Sequence, residues 1–324
     1  MSRFILPTIT FFVLLALVAG GFFAWGYLQY TKPGPTIAET TVYIPPGSSV
    51  EAIANTLTQA GVIEDPLIFR LGVRLTRVDK ALKAGEFAFP YGASAKVAAE
   101  VLISGKTVVH RLTIAEGLTS IEVFELLVAA GGLEKTFDVP LEGSILPETY
   151  YYSYGDNRAD LVERMVKAMD KSLNELWDER ADALPLRSPA EALVLASIVE
   201  KETGVKDERG RVAGVFINRL RMGMRLQSDP TVAYGLSEGD GPLGRSLTRA
   251  DLKVNNPYNT YLIKGLPPGP ICNPGLAAIK AVLNPTATDD LYFVADGNGG
   301  HVFAKTLKEH NRNAAKWRKI RDGG

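Results

Sequence analysis

Residues 188–235 read SPAEALVLASIVEKETGVKDERGRVAGVFINRLRMGMRLQSDPTVAYG, and their pattern decides how the chain is organised. Two helices and a polar loop follow from it. The first helix has defined ends. Ser188 suits the N-cap, and Pro189 suits the first helical position, where its missing N–H costs nothing. Glu191, three residues after Ser188, completes a capping box, and Gly204 suits the left-handed residue that closes a helix. Within the predicted helix, residues 190–203, an apolar stripe runs through Leu195, Ile198 and Val199. Glu202 falls on that stripe, one turn after Ile198 and Val199. Glu200 follows Ala196 and Ser197 on a less apolar side. The spacing therefore predicts that Glu202 sits at the edge of the core, in the drier setting of the two.

A drier carboxyl group keeps its proton to a higher pH, and a raised carboxylic pKa is what a general acid working near neutrality needs. The alternative is a structural glutamate in the last helical turn, paired with Arg209 or Arg219, since structural ion pairs also perturb titration. Glu200 is the other acid to weigh.

The 324 residues carry 36 basic and 36 acidic side chains, so net charge offers no case for nucleic acid. The length suggests two domains, or one with an appendage. Cys272 is the only cysteine, which excludes an intrachain disulfide; in its proline- and glycine-rich loop it reads as a packed thiol. The histidines His110, His301 and His310 are too sparse for a metal site, and no ligand spacing suggests a metal or organic cofactor.

Residues 4–28 carry no charge and are long enough to cross a bilayer as a helix. Phe22, Phe23, Trp25, Tyr27 and Tyr30 gather at the far end like an interfacial aromatic belt, and Arg3 with the amino terminus favours an N-inside orientation. A cleaved signal peptide is the other reading, but the run is long and its aromatic end makes a poor small-residue cleavage site. The expectation is a single-pass inner-membrane anchor over residues 1–30, a linker over 31–40, and everything after it in the periplasm.

The fold class expected for the remainder is α+β. A strand, a glycine turn and a helix occur over residues 41–63 and recur about 70 residues later: Gly47 matches Gly117, Ile53 matches Val123, Leu57 matches Leu127, Gly61 matches Gly131 and Ile63 matches Leu133. Helices are predicted at 65–74 and 94–104, strands at 85–90 and 108–114. Such short units resemble LysM-type carbohydrate-binding modules, so residues 41–138 are expected to form a LysM-like α+β subdomain, as a glycan binder or as scaffold. Residues 139–324 are expected to form a mixed α/β catalytic domain. Its start, LEGSILPETYYYS, reads as a polar-aromatic loop. A long amphipathic helix is predicted at 160–179, a second helix of the opening stretch at 207–221, and an Asp-Pro turn at Asp229. Residues 255–275, NNPYNTYLIKGLPPGPICNPG, are neither helix nor strand and read as the ordered wall of a cleft. A short helix at 276–283, a hairpin across GNGG at 297–300, and a basic helix at 306–321 close the chain.

The run ASIVEKETGVKDERGRVAGVFINRLRMGMRLQSDPTVAYG resembles the endolytic murein transglycosylase family (MltG, YceG-like). LPETY, YNTYLIKGLPPGPICNPG and LYFVADGNGGHVFAKTLKEHN, in that order, carry the same resemblance. It implies non-hydrolytic cleavage of the β-1,4 bond between N-acetylmuramic acid and N-acetylglucosamine in peptidoglycan glycan strands. The muramic 6-hydroxyl attacks the anomeric carbon and leaves a 1,6-anhydro end, and one glutamate serves as acid and then base. Glu202-Thr203 is the nearest counterpart to the Glu-Ser that carries the acid in other lytic transglycosylases. The resemblance also implies action on nascent strands and association with the cell-wall synthases of the elongation machinery. Candidate substrate contacts are Gln227, Asp229, Thr231, Tyr258, Asn259 and Tyr261, each of which can instead hold its own loop. Two other classes stay open: an inactive membrane-anchored glycan-binding scaffold, and a hydrolase pairing Glu202 with Asp229 as second carboxylate.

Overall fold

A computed structural model describes residues 5–323. Arg3, on which the N-inside expectation rests, and Phe4, where the apolar run begins, lie outside the described residues. The chain divides into two compact units, residues 1–110 with 151–155, and residues 111–150 with 156–324.

The first unit begins with the helix α1 (Ile5–Thr31), whose segment Ile9–Thr31 is long and apolar enough to cross a membrane. Then come β1 (Thr40–Ile44), α2 (Val50–Gln59), α3 (Pro66–Leu75), β2 (Gly85–Phe89) and α4 (Ala95–Ser104). β1 and β2 pair antiparallel, Thr40 opposite Phe89 and Ile44 opposite Gly85. Strand alternation turns Val42, Ile44, Phe87 and Phe89 inward. Ile53 and Leu57 of α2, Phe69 and Val73 of α3, and Ala98 and Leu102 of α4 cover them. α2, α3 and α4 each start where a short polar side chain accepts an orphan backbone N–H: Ser49, Asp65 and Ser94 in turn.

The chain enters the second unit through β3 (His110–Thr113), which pairs with β4 (Thr149–Tyr152). The second unit otherwise contains α5 (Ser120–Ala129), α6 (Arg158–Asp178), α7 (Pro189–Glu202), α8 (Arg209–Arg221), α9 (Asp229–Ser237), α10 (Leu276–Leu283), the hairpin β5 (Tyr292–Ala295) and β6 (His301–Ala304), and α11 (Leu307–Gly323). The core forms around α7, against Met169 and Leu173 of α6, Val212 and Phe216 of α8, and Ile279 and Val282 of α10.

The strand–turn–helix similarity extends to local geometry. Gly47 and Gly117 both sit in the left-handed region, Ser49 and Thr119 cap α2 and α5, and Ile53, Leu57, Val123 and Leu127 are all buried. The closing left-handed glycine of the second copy is Gly132, one position after the expected Gly131.

Compact units divide the chain at residue 110, whereas the sequence suggested a boundary at 138. The reason is that the turn before α5 is tied to the loop before α10. Gly117 N donates to Asn273 O at 2.9 Å, and Asn273 N donates to Leu118 O at 2.8 Å. The fully buried Asn273 side chain accepts from Ile145 N at 2.9 Å and donates to Leu118 O at 3.1 Å, joining three loops at one residue. LEGSILPETYYYS, expected as a loop throughout, supplies β4.

Asn273→Ala leaves the Ile145 N–H buried without an acceptor. Urea unfolding of the variant is expected to show a loss of about 2 kcal/mol; an unchanged midpoint would remove Asn273 from this role.

Candidate active site

α7 opens as its sequence requires. Ser188 accepts from Glu191 N at 3.3 Å, and Pro189 occupies the first turn. The return bond of the expected capping box goes instead to Arg187, whose N–H lies 2.7 Å from Glu191 Oε2. The far end differs more. Thr203 is already extended (φ −145°), so the helix stops at Glu202 without a left-handed Gly204. Thr203 Oγ1 accepts from Val205 N at 3.0 Å and turns the chain towards α8.

Every residue from Val194 to Val199 is buried, although Ala190 and Lys201 near the ends of α7 are exposed. The face holding Ala196 and Ser197 is as dry as the stripe holding Ile198. Ser197 Oγ donates to Val194 O and accepts from Ile271 N, and the Cys272 thiol, pushed up by burial, lies against Ser197 O. Both acids at the end of the helix therefore lose water, and what separates them is their partners. Glu200, 7% exposed, accepts from Gly275 N at 2.9 Å and pairs with Arg209 at 3.5 Å. Its pKa is raised, by burial first, against the pull of the Gly275 N–H.

Glu202 has a different setting. Its Oε1 accepts from Ser228 Oγ at 2.5 Å. Burial pushes its pKa up to about 7; the Ser228 hydrogen bond opposes the rise, the Asp229 charge adds to it, and His301 and Arg219 oppose it. By exposed area the residue is only partly buried, yet desolvation outweighs every other influence on its carboxyl group. Neither arginine expected as an ion-pair partner serves as one: Arg209 is on Glu200, and Arg219 donates through Nε to Leu291 O at 2.7 Å and through Nη1 to Leu226 O.

Ser228 is held in place from below. Its N–H donates to Thr260 Oγ1 at 2.9 Å, its carbonyl accepts from Thr231 Oγ1 at 2.7 Å, and the two threonine hydroxyls meet at 2.8 Å. This network uses up Thr231, which is fully buried. Asn259 is used in the same way: its Nδ2 donates to Val254 O and Leu252 O, and its Oδ1 accepts from Tyr261 N. Both candidates hold their own loops and present no free group to a substrate. Asp229 begins α9 instead of a turn, with Pro230 in the first helical turn. It is exposed, and its Oδ1 accepts from Tyr261 Oη at 2.6 Å. Gln227 is exposed and takes a left-handed backbone (φ 51°). Tyr258 is half-buried, with its ring 4.8 Å from that of Tyr234. Glu202, Ser228, Asp229 and Tyr261 thus form one cluster, with Gln227 beside it in the chain and Tyr258 in the same loop as Tyr261.

Three participants escaped the sequence reading. Ser228 was noticed only as part of a polar loop. His301 and Glu208 are the others: His301 Nδ1 meets Glu208 Oε2 at 2.8 Å, and its backbone N–H donates to Glu208 Oε1 at 2.9 Å. A side chain on Gly300 would come within 2.8 Å of Glu208, so glycine at this one position permits the close approach. Glu142 is a further acid raised by burial, but Ser120 N and Tyr234 Oη already donate to it.

Residues 42–316 match the family described as YceG-like. The chain belongs to the YceG-like family. A Bacillus subtilis member of similar sequence, named endolytic murein transglycosylase, is 34% identical over 337 residues, covering 93% of this chain and 91% of that protein. A protein of the same name from Streptococcus pneumoniae strain D39 is 33% identical, covering 95% of this chain and 64% of its own length. The crystal structure of a putative yceG-like protein from Listeria monocytogenes is 33% identical, with a TM-score of 0.54 over 85% of this chain and 98% of that one. The fold of the family is therefore the fold seen here.

Because the folded pKa of Glu202 is above its ordinary value, its contribution favours the folded state below pH 4.5 and is lost as pH rises towards 7. Glu202→Gln, which keeps an acceptor for Ser228, is expected to stabilise the protein at pH 8 by up to about 3 kcal/mol, with the gain vanishing below pH 4.5. Unfolding titrations across that range test it, and an equal gain at both ends would refute the desolvation account. His301→Ala is expected to raise the Glu202 pKa further, as read by carboxyl carbon NMR.

Proposed function

We propose that this protein is a membrane-anchored lytic transglycosylase that cuts peptidoglycan glycan strands internally, with Glu202 as its single acid and base. The observation that carries the reading is a carboxyl group holding its proton to about pH 7 beside the Asp229–Tyr261 pair. The names of the relatives support the same class.

In this reading protonated Glu202 donates to the glycosidic oxygen between N-acetylmuramic acid and N-acetylglucosamine. The C1–O bond breaks, and positive charge develops at the anomeric carbon. The muramic 6-hydroxyl then attacks that carbon and gives its proton to the Glu202 carboxylate, which restores the acid. The products are a 1,6-anhydromuramic end and a free 4-hydroxyl on the glucosamine, with no water consumed. An intramolecular nucleophile needs no second protein carboxylate to hold water, and its effective molarity is high. Ser228 steadies the ionised intermediate of Glu202, because a hydrogen bond to the charged form favours that form. Gln227, Asp229, Tyr258 and Tyr261 would bond to N-acetyl and hydroxyl groups of the strand, whereas Thr231 and Asn259 keep their loops in register.

α1 would be the uncleaved anchor, with the rest of the chain on the periplasmic side acting on strands during wall assembly, near the synthases that make them. The β1–α2–α3–β2 order of the first unit supports reading that part as LysM-like. A hydrolase using Asp229 as second carboxylate is the competing reading, and it would leave reducing ends that carry solvent oxygen.

Mass spectrometry of products from purified sacculi in ¹⁸O-labelled water is expected to give 1,6-anhydro ends free of label. Labelled reducing ends would replace this mechanism with hydrolysis. Glu202→Gln is expected to lower product formation by about 10²- to 10⁴-fold; undiminished cutting would end the assignment of Glu202.

A further inference from the structure

α3 carries an apolar face that the first unit does not cover. Leu67, Leu71 and Leu75 recur every four residues and are 53%, 45% and 67% exposed, although Phe69 and Val73 on the opposite side are fully buried. The exposed stripe continues onto α1. An apolar groove between the two helices is lined by Ala19, Phe22 and Trp25 on one side and by Ile68, Leu71 and Leu75 on the other. The two helices are locked together where Tyr30, 7% exposed, lies over Gly72; a Cβ at position 72 would meet the Tyr30 ring at 2.3 Å.

This placement has a consequence if α1 spans a bilayer, the reading on which the inference rests. A hydrocarbon core takes up about 20 helical residues. Counted from Ile5 or from Ile9, that span includes Phe22 and ends near Trp25. A helix packed beside Phe22 and Trp25 then lies at the boundary between acyl chains and headgroups. Its exposed face is the face such a site requires. Arg74 flanks the leucine stripe and Arg77 follows it, both exposed, and long cationic side chains at that depth reach outward to phosphate while their stems stay in apolar surroundings.

We propose that α3 is an interfacial membrane helix, seated through Leu67, Leu71 and Leu75 in the leaflet from which α1 emerges. The occupant of the exposed face is the lipid surface itself, because the groove it borders has one wall built from the apolar run. Amphipathic helices with one apolar and one basic face bind membranes in this way. Seating α3 fixes the first unit against the bilayer, so that the anchor acts as a rigid post instead of a flexible tether.

The test uses the full chain in vesicles of phosphatidylethanolamine and phosphatidylglycerol whose acyl chains carry a nitroxide quencher. An environment-sensitive fluorophore is attached at Leu71→Cys, at Val18→Cys on α1, or at Asn55→Cys on the exposed side of α2. The native Cys272 is fully buried, out of reach of the label. The expected result is strong quenching at positions 18 and 71 and little at 55. Quenching at 18 without quenching at 71 overturns the interfacial helix and leaves the anchor standing, as would happen if a second copy of the chain covered the stripe. No quenching at 18 means that the anchor reading itself fails, and the inference with it. Equal quenching at all three positions means non-specific adsorption, which also overturns it. Leu71 is exposed, so its replacement by a labelled cysteine leaves the core of the unit intact.

Discussion

Removing water from one carboxyl group is the constraint around which the second unit is arranged. Glu202 is the last residue of a helix buried over six consecutive positions. Burial alone disfavours its ionised form, and the helix C-terminus, where unpaired carbonyls face outward, disfavours negative charge again. A single hydroxyl, that of Ser228, is set against these effects, with the more distant charges of His301 and Arg219. The balance leaves the group near pH 7, where it can both give and accept a proton. A second hydrogen-bond donor to its ionised form would lower that pKa.

Glu200, two residues earlier, is also raised in pKa by burial but has different partners. Its side chain is 7% exposed, and it takes a backbone N–H and a guanidinium. The N–H comes from Gly275, the residue before α10, where any Cβ would fall 1.7 Å from the Glu116 carboxylate. Glycine there lets two acidic side chains approach the start of a helix closely, and Glu200 becomes a tie between α7 and α10. The two glutamates of one tripeptide thus differ in partners brought by loops distant in sequence: Glu200 ties α7 to α10, and Glu202 meets Ser228.

That difference explains what the sequence could and could not tell. Helix starts were legible because their determinants are local: Ser49, Asp65, Ser94 and Ser188 each bond within three residues. The placement of Glu202 against the core was legible from its spacing to Ile198 and Val199. Ala196 and Ser197 look mildly polar in sequence, yet Ile271 and Cys272, 74 and 75 residues away, seal them, so the side of the helix does not by itself separate the two acids. Asp229-Pro230 was read as a turn, though proline at the second helical position starts a helix just as well. Thr231 and Asn259 resembled sugar-binding groups because a polar side chain in a loop looks the same whether it faces a ligand or a backbone amide. His301 and Glu208 are 93 residues apart, and no local pattern could pair them.

Arg219 joins two of these long-range parts. It is a buried cation on α8, and it is satisfied by carbonyls, one from Leu226 at the entry to the Ser228 loop and one from Leu291 at the entry to the β5–β6 hairpin. A planar fork with donors at fixed angles can hold both at once, which a lysine ammonium cannot. The loop that aims Ser228 at Glu202 and the hairpin that carries His301 to Glu208 are therefore registered on the same side chain. Its carbonyl partners leave its charge in place, and that charge is the smallest of the influences that lower the Glu202 pKa. The Ser228 loop and the His301 hairpin thus share one anchor on α8, while the proton affinity of Glu202 is set first by burial and then by Ser228.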